Sequence, residues 1–127
     1  GTGSLYHILQ EQITSLGLEK QVKLCGRGEN MMEIYPNYSL HVMSSHYEGQ
    51  GIVMLEAQAC GLPSVTFDFK YGANEIIRDE INGIIVRQND NEAFITAICK
   101  MKAQTMAIQY SKFNIFQKWL ELLRCYT

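Results

Sequence analysis

Short, mostly apolar strands alternating with amphipathic helices predict an α/β fold, a parallel sheet with helices on both faces. Three observations carry that expectation. The strand-like runs at 40–43, 64–67 and 83–86 are only four residues long and mostly apolar, as suits strands covered on both sides. Segments with helical spacing of apolar residues separate them. Turn and stop signals fall at the junctions, as at Gly61 before Pro63 and at Asn82-Gly83.

In order, apolar residues at Leu5, Ile8, Leu9, Ile13 and Leu16 predict a helix over 5–16, with Ser4 as N-cap and Gly17 as stop. A strand is expected at 22–25, ending at Gly26. A brief helix is expected over 29–35, broken by Pro36. The strand at 40–43 runs into the glycine-bearing stretch described below. After the strand at 64–67 come a short helix over 74–79, the strand at 83–86 and a helix over 91–105. That helix would present Ala93, Phe94, Ala97, Ile98 and Met101 on one face. A last helix is expected over 111–123, where Phe113, Phe116 and Trp119 form a core stripe. No internal repeat or linker interrupts the chain, which reads as one domain over 1–127.

The stretch 44–63 organises the rest. Gly49 and Gly51 allow close backbone approach and positive φ. Residues 52–60 are helix formers, with Gly61 as a left-handed stop and Pro63 forbidding continuation. Nearly all are apolar or small, so the helix is expected to be buried on most sides. Glu56 is the anomaly, because a buried carboxylate needs a partner. It lies about one turn, roughly 6–7 Å, from the helix start, and Glu48 lies just before the turn. The free amides at such a helix N-terminus are a ready anion site. A phosphate there, with sugar hydroxyls accepted by Glu48 and Glu56, is the arrangement these residues suit.

Ser45 through Pro63 reads S-x-x-E-G-x-G-x-x-x-x-E-A-x-A-C-G-x-P. With Glu48-x7-Glu56 inside it, this resembles the donor-site signature of the retaining glycosyltransferases of GT-B fold, family 4 in particular. The likeness continues through Val65–Ile77, with Tyr71-Gly72-Ala73-Asn74-Glu75-Ile76-Ile77 in register, and through Asn82-Gly83-Ile84-Ile85-Val86. It implies the carboxy-terminal, Rossmann-like, nucleotide-sugar-binding half of such an enzyme. The Y-G-A-N-E-I-I variant resembles bacterial transferases of cell-surface polysaccharide synthesis. The implied reaction moves a hexose or N-acetylhexosamine from a nucleotide diphosphate sugar, UDP being the commonest nucleotide, to a glycan acceptor with anomeric retention.

The same resemblance implies the roles. Glu48 would orient the donor sugar near the reacting centre, and Glu56 would accept the ribose hydroxyls. The amides of Gly49, Gln50, Gly51 and Ile52 would face the diphosphate, with Ser45 at the head of the motif. Arg27 and Gly28, after the strand ending at Gly26, would line the nucleobase; a solvated loop arginine is the other reading of Arg27. Gln50 stands where the family usually carries Phe. His46 stands where Arg is frequent, and reads as a polar loop residue. Lys70 and Tyr71 would sit toward the sugar end. The family's Arg and Lys that neutralise the diphosphate lie upstream, and no basic pair here occupies their position. With the acceptor-binding domain absent as well, the expectation is an enzyme as the parent protein and no turnover by this piece alone. A non-catalytic nucleotide-binding or docking module of the same fold is the alternative. A dinucleotide oxidoreductase is disfavoured, because Gly26-Arg27-Gly28 lacks the third glycine of the fingerprint.

Composition bounds the partners. The 127 residues are 46% hydrophobic and 19% charged, with a net charge of −2, so there is no electrostatic case for binding nucleic acid. No apolar run approaches the ~20 residues of a membrane span, although peripheral association of the parent is compatible with the resemblance. Cys25, Cys60, Cys99 and Cys125 are far apart, with no metal-ligand spacing. Reduced thiols, a cytoplasmic setting and no metal or other cofactor are expected.

Overall fold

The computed structural model describes residues 2–107 apart from 70, 71 and 79. The chain divides into two compact units, Gly1–Met31 and Met32–Thr127.

In the first unit the expected helix forms as α1 (Tyr6–Ser15). Its N-cap is Leu5, with no side-chain cap, in place of Ser4; the amide of Tyr6 bonds instead to the carbonyl of Gly3 in a turn. Of the apolar stripe only Ile13 is buried. The expected strand at 22–25 does not form. The amide of Val22 closes a turn onto the carbonyl of Leu18, and a strand exists only where a neighbour supplies a ladder.

The expected helix at 29–35 is shorter and shifted, as α2 (Met31–Ile34). Pro36 does not break the chain there but lies inside a 3-10 turn, Tyr35–Asn37, where the missing N–H is no loss. The second unit then builds the sheet from β1 (His41–Met43), β2 (Ser64–Phe67) and β3 (Gly83–Val86), all parallel and in the order β1-β2-β3. The crossovers carry α3 (Ile52–Ala59) and α4 (Ala73–Ile76), the latter shorter than the expected 74–79. Asn82 explains that early stop. Its side chain accepts from the amide of Arg78 at 2.7 Å and donates to the carbonyl of Ile76 at 3.0 Å, turning the chain. Helix α5 runs from residue 91 to 107, with Asp90 Oδ1 accepting from the amide of Ala93 at 3.0 Å as its N-cap.

β2 is buried at every position, so each of its faces needs a cover. Val65, Phe67 and Val86 pack against Phe94, Ala97 and Met101 of α5. On the opposite face Met43 packs with Met54 of α3 and with Phe69, Ala73 and Ile77 around α4. This is the expected two-sided parallel sheet. Ala93, placed on the buried face from sequence, is exposed, because the face follows the 3.6-residue period through Phe94, Ala97, Ile98 and Met101.

The expectation that α3 is buried on most sides is not met. Met54 and Ala57 face the core, whereas Ile52, Val53 and Leu55 are exposed. The sheet touches one side of this helix, and on the other side Ile52, Val53 and Leu55 are left about half exposed. The expected helix at 111–123 lies outside the described residues. Among the described residues no helix is long and apolar enough to cross a membrane.

Candidate functional site

The site grows from the turn between β1 and α3. Gly51 is the N-cap of α3 at φ 60°, ψ 32°, a left-handed conformation with no side-chain cap. Two things require glycine there. The left-handed backbone disfavours a Cβ, and a Cβ would stand 3.3 Å from both Phe69 Cζ and Ile76 Cδ1. The carbonyl of Gly51 accepts from the amides of Met54 and Leu55. The amides of Gly49, Gln50, Gly51, Ile52 and Val53 have no protein acceptor among the described residues. Five donors at the positive end of a helix dipole are thus left for an outside acceptor.

Glu48 and Glu56 flank this run, both half-buried and without a hydrogen-bond partner among the described residues. Glu56 was expected to be buried. The open outer face of α3 leaves it partly in water, which removes the need for an internal partner. Its charge is felt by Tyr35, whose hydroxyl donates to the carbonyl of Val53 at 3.3 Å. Burial, then the carboxylate of Glu56, then Cys60 raise the Tyr35 phenol above its ordinary 10.0, so Tyr35 stays a neutral donor beside Glu56. Ser45 is half-buried and Gln50 exposed on the same turn. Arg27 and Gly28 are exposed in the first unit. Lys70 and Tyr71 lie outside the described residues.

The elements that hold the turn are now plain. Gln58 of α3 donates to Ser64 Oγ at 3.2 Å and to the carbonyl of Asn82 at 2.9 Å, tying the helix to the start of β2 and to the turn before β3. Ser64, fully buried, also pairs with His41 Nδ1 at 3.2 Å. Burial pushes His41 below its ordinary 6.5, so the ring is held neutral. The loops after β1, β2 and β3 share the carboxyl rim of the sheet, where open α/β sheets bind ligands. Among the described residues no group of three or more His, Cys, Asp or Glu gathers closely enough to hold a metal ion.

The family model for glycosyl transferases group 1 matches residues 1–113. The chain belongs to this family. As a group 1 glycosyltransferase chain it is similar to the poly(ribitol-phosphate) alpha-N-acetylglucosaminyltransferase of Staphylococcus aureus, 32% identical over 96% of this chain and 27% of that protein. It is also similar to the poly(glycerol-phosphate) alpha-glucosyltransferase of Bacillus subtilis, 29% identical over 94% of this chain and 20% of that protein. The chain therefore spans about a quarter of the length of these relatives. Among solved structures it superimposes on the pneumococcal O-GlcNAc transferase GtfA, crystallised with UDP and GlcNAc, with a TM-score of 0.72 and 27% identity over 96% of this chain and 28% of that one. A variant of S. aureus TarM, crystallised with Fondaparinux, alpha-GlcNAc-glycerol and UDP, gives a TM-score of 0.75 at 28% identity over 94% of this chain and 27% of that one. The GT-B glycosyltransferase fold inferred from the E-x7-E stretch is borne out.

Sequence reasoning on this glycosyltransferase chain missed Tyr35, Gln58, Gln88 and Asn89. The first two are read only from contacts. Gln88 and Asn89 follow β3 and line a cavity at the carboxyl end of the parallel sheet, and that position in sequence, just after a strand, could have pointed to them.

Proposed function

We propose that this chain is the donor-binding part of a retaining glycosyltransferase that moves a hexose or N-acetylhexosamine from a UDP-sugar to a glycan acceptor in cell-surface polymer synthesis. The observation that carries this reading is the run of unpartnered amides from Gly49 to Val53, set between two half-buried carboxylates at the head of α3. Donors fixed in place before reaction stabilise charge that develops on a departing nucleotide without reorganisation. Glu56, one turn into the helix, suits the ribose hydroxyls. Glu48, at the outer end of the turn, suits the hydroxyls of the transferred sugar, which it would orient for attack. The relatives' names, an N-acetylglucosaminyltransferase and a glucosyltransferase acting on polyol-phosphate polymers, and the UDP in both solved neighbours, support the choice of donor.

The test is calorimetric titration and thermal shift of the chain with UDP, GDP, ADP and their sugars. UDP at a hundredfold excess over its dissociation constant should stabilise the fold by about 2.7 kcal/mol. Glu48→Ala should keep UDP binding and lose the distinction between UDP and UDP-sugar. A folded chain that responds to no nucleotide would sink the reading.

A further inference from the structure

Glu56 stands half-buried one turn into α3, with no hydrogen-bond or ion-pair partner among the described residues. A glutamate held by nothing samples many rotamers, and ordering it on a ligand consumes part of the binding energy. A residue that confines the side chain beforehand acts on the ligand without touching it. Tyr35 is placed to do so.

Tyr35 is 4% exposed, and its hydroxyl donates to the carbonyl of Val53 at 3.3 Å. Val53 closes the run of open amides, and Glu56 follows it by three positions, on the same side of the helix. Side chains on a helix lean back toward its N-terminus, so the carboxylate of Glu56 lies over the turn that Tyr35 reaches. The 3.3 Å contact is long for an O–H donor, and its acceptor carbonyl already serves the helix ladder. A carboxylate is the stronger acceptor for the same proton. Burial and the charge of Glu56 keep that proton on the phenol. The thiol of Cys60, the next polar group along this stripe, is turned away to Met32, 3.8 Å from its carbonyl oxygen and 3.7 Å from its sulfur.

Tyr35 itself has little freedom. It opens the 3-10 turn Tyr35–Asn37, in which Pro36 fixes φ. The side-chain amide of Asn37 ties that turn to the carbonyls of Glu33 and Ile34, at 3.1 and 3.3 Å. The Tyr35 ring meets His41 of β1 edge-on, with centroids 5.9 Å apart. The hydroxyl is thus a donor fixed from outside the helix it touches.

We propose that Tyr35 is the positioning residue of Glu56 and, through it, sets the preference of this site for a ribose over a 2′-deoxyribose. A carboxylate offers about four lone-pair sites, enough for the phenol and for both hydroxyls of a ribose. Resting on the phenol keeps the carboxylate beside the open amides, where a nucleotide's ribose would meet it. The ribose role of Glu56 rests on the proposed function above; the restraint by Tyr35 belongs to the protein alone.

The test is calorimetric titration of the full chain and of Tyr35→Phe with UDP and with 2′-deoxyuridine 5′-diphosphate, with a melting curve of each protein. Phenylalanine keeps the buried ring, so both proteins should be folded at the titration temperature. The parent should bind UDP about tenfold more tightly than the deoxy compound, and Tyr35→Phe should bring that ratio within about threefold. A general loosening of α3 weakens both ligands alike and leaves the ratio standing. A ratio that survives Tyr35→Phe therefore overturns the positioning role and leaves the donor reading intact. In Glu56→Gln the ratio should already be lost, with no further change when Tyr35→Phe is added; a further change would mean that Tyr35 acts elsewhere, and also overturns the role. Equal affinity of the parent for the two ligands removes Glu56 from the ribose and the proposal with it. Binding of neither ligand by the folded parent removes the donor reading as well.

Discussion

Replacing Gly83 with alanine tests the sheet that positions the whole rim. Gly83 opens β3 and sits opposite Ser64 in the ladder. A Cβ on it would lie 2.2 Å from the carbonyl oxygen of Ser64 and 2.9 Å from Cδ1 of Ile77. Real Cβ atoms stay beyond 3.0 Å, so something must shift. The Ile77 methyl can rotate aside; the Ser64 carbonyl is backbone of the fully buried central strand and cannot. Gly83 is not among the glycines with positive φ, so the cost is steric alone. Overpacking of this kind costs about 1–3 kcal/mol, and a clash with backbone of the buried central strand belongs at the upper end. At roughly 4 °C per kcal/mol for a chain of this size, the melting temperature should fall by about 12 °C. Gly49→Ala is the matched control. No atom lies within 4 Å of its Cβ position and its φ is not positive, so its stability should change by less than about 0.5 kcal/mol. Thermal melts followed by circular dichroism decide the matter. A Gly83→Ala chain melting within about 2 °C of the parent would refute the Ser64–Gly83 register and the strand spacing drawn from it.

Four further outcomes are expected. Glu56→Gln should weaken UDP binding at least tenfold, about 1.4 kcal/mol, with the melting temperature unchanged because the side chain has no internal partner; calorimetry showing equal affinity would remove Glu56 from the site. Phe67→Ala should cost about 3–5 kcal/mol, since Phe67 is 5% exposed and stacks on Phe94 at 4.2 Å; urea unfolding measures it, and a loss under about 1 kcal/mol would contradict the packing. Because burial holds His41 below 6.5, the unfolded chain takes up a proton first as pH falls. Stability from this group is therefore complete above pH 6.5 and is lost as pH drops towards the folded-state value. Urea midpoints across that range should show a slope that flattens in His41→Gln, and an identical slope in the variant would reject the assignment. Lys100→Ala removes an ion pair with Glu80 in which both side chains are exposed, so it should alter stability by less than about 1 kcal/mol in a denaturant titration.

Much of the rim was legible in the chain. Gly61 and Pro63 end α3 where their chemistry demands. The run Ser64-Val65-Thr66-Phe67 is buried throughout, as a central parallel strand should be. Gly51 takes the left-handed conformation that only glycine adopts freely. The misses were of another kind. Residues 22–25 have strand composition, yet a strand requires a neighbour and composition cannot supply one. The apolar run 52–60 was read as buried all round because periodicity reports which residues are apolar, not how many sides of a helix are covered.

The sequence alone therefore determined the local events: where α3 stops, where the three strands of the sheet run, and which glycine-bearing turn leaves its amides open beside two acids. Each follows from the conformational range or polarity of a few adjacent residues. Only the tertiary structure decided that Gln58 ties α3 to Ser64 and Asn82, that Tyr35 lies beside Glu56, and that Gln88 meets His46 across the rim. Those pairs are joined by parallel strand register and crossover packing, so partners 6 to 42 positions apart become neighbours through geometry that no local pattern records.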